Sequence, residues 1–367
     1  MPNARIMDRP EDFKELGIDP NKVELWEEGR RDTSAPGNNE VWYFDATMED
    51  GSKTVVGFRP KDPAKMNTDF DSPNVNVMIT SPDGRELSNF HYFSAEESHT
   101  GEGHGCDLKY GTDTAEGDFK QYHIHVEPSE KGVGVDLYYE ALCEPFRQGT
   151  GIVAFGDHDE FHHTDLSVPK NRVTGTLYYD GKEHKVQGLG YHDHQWMNAN
   201  PMALYHHWLW GRMYTDKFTV YVYDFVANEK YDFKQLPMFG LIDNKTGKVV
   251  FKTDGHFTRE TELEKQAQTG REFPKTSRYV FKNEDGKEVD FNVTWADEIE
   301  TRDMYGKAPE PMKRQFDAMN VAPIYMRYYA KGTVAFTDPS AQSKTASSGD
   351  MIYEYAYLGK PDGRAHV

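Results

Sequence analysis

The sequence predicts an all-β, mainly antiparallel protein built as two β-rich halves that meet near residue 200. Three observations predict it. Short runs of alternating apolar and polar residues follow one another along most of the chain, separated by turn residues. Helical periodicity is weak and confined to 261–269 and 311–319. The length, 367 residues, suits two domains or one large β unit.

Residues 1–40 are polar and rich in Pro, Gly and Asn, and read as a peripheral segment wrapped on the outside. From Glu40 the pattern changes. VWYFDATMEDGSKTVVGF is a hairpin pattern turning at Asp50-Gly51. Strands 74–81 and 85–94 flank Pro82-Asp83-Gly84, a second turn signal. Runs at 118–127, 134–142, 171–179 and 185–191 continue the series. Beyond Asn198 it resumes at 205–214, 218–226, 236–243 and 248–252, the last two joined by Asn244-Lys245-Thr246-Gly247. Runs at 278–282, 289–295, 325–337 and 351–358 complete it. The expected domains are therefore 1–198, with 1–40 peripheral, and 199–367.

Composition narrows the function. The net charge is -19, from 42 basic and 61 acidic residues, which argues against nucleic acid and anionic membrane as partners. The two cysteines, Cys106 and Cys143, make no disulfide framework and fit a reducing, cytoplasmic setting. No apolar run is long enough to span a membrane, and the charged N-terminus has no signal-peptide pattern. Motifs for nucleotide binding and for a nucleophilic serine elbow are missing. Gly149-x-Gly151 and Gly188-x-Gly190 stand in β context, where they read as turn or bulge glycines.

The densest chemistry lies at Gly188–Asn198, GLGYHDHQWMN. Extended, it places His192, His194 and Trp196 on one face and Tyr191, Asp193 and Gln195 on the other. Imidazoles and an indole on one wall can exchange protons and stack on a flat or cationic species. A second stretch, FTVYVYDF at 218–225, puts Asp224 on a face that is otherwise apolar, opposite Tyr221 and Tyr223. Asp224 either starts a turn or is buried. Buried, a carboxyl without a partner stays protonated, which suits a general acid. Trp208 and Trp210 in HHWLWG share a face and are candidate binding-wall residues.

In chain order, VWYFDA with DGS, SPDG, EPFRQGTG, RVTGTLYYDG, GLGYHDHQWMN, HWLWGRMYTDKFTVYVYD, LPMFGLID and GDMIYEYAY resemble the carotenoid 1,2-hydratase superfamily. That group includes kievitone hydratase-like and AttH-like proteins and lipocalin-like Diels–Alderases. The resemblance implies two lipocalin-like β-barrel domains, a ligand pocket between or within them, and no required cofactor. It also implies an enzyme acting on a hydrophobic terpenoid, prenylated phenol or polyene. Where the family usually reads HNWG, this chain reads His194-Gln195-Trp196-Met197, so Gln195 and Met197 should reshape the pocket.

Under that resemblance the expected reaction is addition of water to a C=C bond. Asp224 would protonate the alkene. Trp196, Tyr221 and Tyr223 would stabilise the cation through their π faces. His194, with His192 or Asp193, would position and deprotonate water. Trp208, Trp210, Gln195 and Met197 would bind substrate. The alternatives are isomerisation or cyclisation in the same pocket, and a non-catalytic carrier. A metal alternative rests on Gly117, His123, His125 and Glu130, which fit a first cupin motif whose second half is missing. The loop holding Asp157, His158, Asp159, His162 and His163 reads as solvated surface.

Overall fold

The computed structural model describes residues 3–128, 132–157, 159–254 and 256–365. Strand makes up 58% and helix 9%. Among the described residues the α-helices are short: Pro10–Leu16, Pro201–Leu204 and Glu310–Ala318. None is long and apolar enough to cross a membrane. The chain forms two compact units, one of Ile6–Ala154 and His158–Ala199, the other of Met1–Arg5, Phe155–Asp157 and Asn200–Val367.

The first unit is organised around strand Lys182–Met197, which lies between Asn39–Met48 and Glu160–Tyr179. One side of the sheet continues through Lys53–Arg59 and Asn74–Thr80 to Glu86–Tyr92. The other continues through Gly134–Ala141, Gln121–Val126, Asp113–Gly117 and Cys106–Tyr110 to Ser98–Thr100. The sheet curls. Phe44, on one side of the central strand, meets Tyr122 and Tyr139 from the other, with ring centroids 5.5 and 5.6 Å apart. The central hairpin turns on Asp180-Gly181 at φ 53° and 68°, the two positive angles of a type I′ turn. That tight turn sets Tyr179 opposite Lys182 and fixes every later pairing.

The other glycines of the central strand behave differently from expectation. Gly188 and Gly190 stand in neither turn nor bulge. A Cβ on Gly190 would lie 2.7 Å from the Asp45 carbonyl and 2.6 Å from the Tyr139 ring, so close strand approach demands glycine there. The bulges lie in the neighbouring strand, between His163 and Leu166 and between Val168 and Asn171.

The peripheral segment is not wholly peripheral. Its short 3₁₀ turn, Leu25–Glu28, carries Glu27 and Glu28 inward, at 1% and 0% exposure. Arg147, itself buried, places its Nε 3.0 Å from Glu27 and donates to the Asp19 and Lys22 carbonyls. The segment therefore fills the concave side of this sheet.

The second unit is a nine-stranded sheet. Its order is Lys248–Lys252, Gln235–Asp243, Phe218–Ala227, Tyr205–Tyr214, Ser343–Gly359, Val321–Asp338, Glu288–Asp303, Glu272–Lys282 and Phe257–Lys265. Val220, Val222, Phe239, Phe281, Phe291 and Met326 are among its core residues. Helix Glu310–Ala318 stands where 311–319 was expected. The helix expected at 261–269 is instead the end of edge strand Phe257–Lys265 followed by a turn. Its side chains are half-buried or exposed along its length, so the apolar alternation that marks a strand is missing.

Candidate functional site

Strand Lys182–Met197 presents two buried polar systems, one on each face. On the first, pairing with Asn39–Met48 puts His192 beside Phe44, His194 beside Trp42 and Trp196 beside Glu40. His192 stacks on Phe44 and His194 on Trp42, each at 4.2 Å between centroids and within 16° of parallel. Trp196 stacks on His163 at 3.5 Å. All three histidines are fully buried.

Two carboxylates hold these imidazoles. His192 donates from Nδ1 to the Tyr43 carbonyl, and its Nε2 lies 2.7 Å from Glu28 Oε1. His194 Nε2 lies 2.7 Å from Glu40 Oε1, with its Nδ1 3.6 Å from Glu28 Oε2. Burial alone would push the His194 pKa down, but Glu28 and Glu40 overcome it and hold it up at about 9. Burial would likewise raise Glu28, yet the His192 charge and hydrogen bond, with those of His194, hold it down at about 2. Tyr122 Oη adds a further contact to Glu28 Oε1 at 3.3 Å. Beyond Glu40, burial and the Glu40 charge push Asp32 up to about 8. The expected role of His194 as a base changes accordingly: at neutral pH it already carries its proton and is locked between carboxylates.

The opposite face holds Asp193, 3% exposed. Its carboxyl accepts, at 3.0 Å, from the Gln195 amide. Burial raises its pKa to about 6. The nearby Tyr191 hydroxyl, the His192 charge and the Gln195 hydrogen bond oppose the rise, and the Asp45 charge adds to it. Gln195 also bonds His162, which burial pushes down to about 3. The longer amide that departs from the family pattern thus bridges an acid and a neutral imidazole. Tyr43 and Asp45 from the adjacent strand, joined at 3.3 Å, and Arg59 complete the surroundings. Met197, at the strand's end, pairs with Asn39 and His162 and is nearly buried.

The other candidates belong to the second unit. Asp224 is fully buried, as one of the two readings required, but it is not a lone carboxyl. Its Oδ2 accepts from Arg259 and, at 3.1 Å, from Tyr279. A carboxylate held in a buried ion pair serves as an acceptor, which removes the premise for Asp224 as proton donor. Tyr221 and Tyr223 lie on the strand's opposite face, where Tyr223 stacks on Phe225 at 4.4 Å and meets Trp210 at 6.4 Å. Trp208 donates to Glu354 at 3.0 Å. These residues make a buried or half-buried aromatic face.

Two further expectations change. His162 and His163 are strand residues paired with Met197 and Trp196, not solvated loop; His158 lies outside the described residues. Of the cupin-like set, Glu130 lies outside the described residues. His123 sits 2.8 Å from Asp136 and stacks on Tyr138, and His125 lies 3.4 Å from Glu127. Sequence reasoning missed Glu28, Glu40 and Arg259. Only Glu40 carried a signal, opening the VWYFDA strand.

A curled, two-unit antiparallel architecture of this kind is the fold of AttH-like proteins. The chain belongs to the family described as "Domain of unknown function (DUF7064)", whose model matches residues 27–314. A putative AttH from Nitrosomonas europaea is 16% identical with a TM-score of 0.57, covering 92% of this chain and 98% of that one. CghA, solved with Sch210972, is 14% identical with a TM-score of 0.59, covering 91% and 98%. Kievitone hydratase from Nectria haematococca is 13% identical with a TM-score of 0.49, covering 91% and 93%. AttH is a name the sequence resemblance itself carries, so motif order and fold agree. No curated protein matches the chain.

Proposed function

We propose that this chain is an enzyme that transfers protons to a hydrophobic terpenoid, prenylated phenol or polyene without a cofactor, adding water to a C=C bond. The observation that carries the reading is Asp193. It is a buried carboxyl with its pKa raised to about 6, oriented by Gln195, with the Tyr191 hydroxyl nearby. A general acid works best when its pKa lies near the working pH, a condition Asp193 meets, whereas the Asp224 carboxylate is held against Arg259. Asp193 therefore takes the donor role first read into Asp224. His192, His194 and Trp196 form the rigid wall behind it. The aromatic face of the second unit, with Tyr221, Tyr223, Trp208 and Trp210, favours the same large, apolar class of ligand. CghA, of the same fold, was solved with Sch210972, which supports a ligand-binding role for that fold.

Isomerisation or cyclisation is the second reading, since the same acid could start either. Turnover of a panel of prenylated phenols and acyclic polyenes in heavy water tests both. Hydration places deuterium on carbon and adds one water to the product; an acid-started isomerisation or cyclisation takes up deuterium without adding water, and a pericyclic cyclisation does neither. Asp193→Asn is expected to lower kcat about 10²–10⁴-fold and to abolish the limb of the pH profile near 6, with the melting temperature retained. A folded Asp193→Asn chain with unchanged turnover would falsify the assignment.

A further inference from the structure

We infer that Glu28, from the N-terminal segment, is a positioning residue for Asp193, holding its orientation across the thickness of one strand. The inference rests on the reading of Asp193 as the acid. Asp193 stands between two residues whose side chains point away from it and are clamped. His192 is fixed by Glu28, the Tyr43 carbonyl and the Phe44 ring. His194 is fixed by Glu40, Glu28 and the Trp42 ring. With the backbone paired to Tyr43 on one side and Ser167 on the other, residues 192–194 keep little freedom. Preorganisation of this kind is what a reacting group requires.

The coupling is also electrostatic. The groups facing Asp193 are Tyr191 and Gln195 on its own strand, Tyr43 and Asp45 on the next, Arg59 beyond, and His162 through Gln195. Among its neighbours, the His192 charge lowers the Asp193 pKa, and the Glu28 carboxylate lies 2.7 Å from His192 Nε2. A change in how Glu28 holds His192 therefore reaches Asp193.

The test is a carboxyl-carbon NMR titration of the full chain labelled at aspartate, with Asp193→Asn assigning the resonance. In Glu28→Gln, the Asp193 titration is expected to move away from about 6. In Glu28→Asp, which keeps the charge on a shorter arm, it should return most of the way. On a substrate that turns over, kcat falls in Glu28→Gln while KM holds, and the pH limb shifts with the titration. An unmoved Asp193 titration in folded Glu28→Gln overturns the inference. If Glu28→Gln does not fold, Glu28→Asp decides alone: a shift of the Asp193 titration supports the coupling and no shift overturns it. If the titration moves but Asp193→Asn turns over normally, the positioning stands and the acid assignment falls.

Discussion

Asp224 shows how much a residue's chemistry depends on a partner elsewhere in the chain. Its place on an apolar strand face was legible from the alternation of FTVYVYDF, and the structure buries it fully. Arg259 was not legible as its partner. It stands in a strand whose outward-facing polar residues hide the period-two pattern. The expected effect of Asp224→Asn is accordingly on stability. Replacing the carboxylate leaves a buried guanidinium without its counter-charge, and breaking such pairs typically costs about 3–5 kcal/mol. Chemical denaturation followed by fluorescence measures this. A variant unfolding at the wild-type midpoint would mean that the ion pair contributes nothing to the second unit. Asp193 presents the reverse case. It was named in the motif, but only its surroundings reveal why it titrates near neutrality.

At the scale of elements, the N-terminal segment and the central strand act as one device. The strand's two-faced character follows from backbone alternation and was readable in GLGYHDHQWMN. The inward course of WEEGRR was not, because a polar, glycine-flanked stretch has no periodicity to show which side it turns. Its partner His192 lies 164 residues away, far beyond the reach of any local pattern. This device gives the stability a defined pH dependence. The His194 pKa is raised in the folded chain, so its contribution is complete below the ordinary histidine value and is lost as pH rises through about 9. The Glu28 pKa is lowered, so its contribution is complete above the ordinary glutamate value and is lost as pH falls toward about 2. Melting temperatures measured across pH should fall on both flanks. In His194→Gln the alkaline decline should flatten, and an unchanged alkaline flank would remove His194 from the account.

For the molecule as a whole, fold and motif order agree where identity is only 14–16%. The hairpin turns and the sequence of short strands carried the fold, because they depend on backbone geometry more than on particular side chains. The charge balance is a second property of the whole. At a net charge of -19, exposed carboxylates repel one another and oppose the compact state. The buried pairs of Glu28 and Asp224 are shielded from added ions, while the surface is not. Raising sodium chloride from about 10 mM to about 200 mM, where the Debye length falls below ~10 Å, should therefore raise the melting temperature at neutral pH. A fall would show that surface ion pairs outweigh the repulsion.

The course of Glu28 also orders events in time. Its contacts with His192 and His194 close a loop of more than half the first unit's chain. As the chain grows, Glu28 and Glu40 are made early but lack their histidine partners until the strand ending at Met197 exists. Contacts of such sequence separation form late and slow the folding of β proteins. The first unit thus completes its interior last, from its earliest-made segment, and until then two histidines and two tryptophans of the central strands lack their final cover.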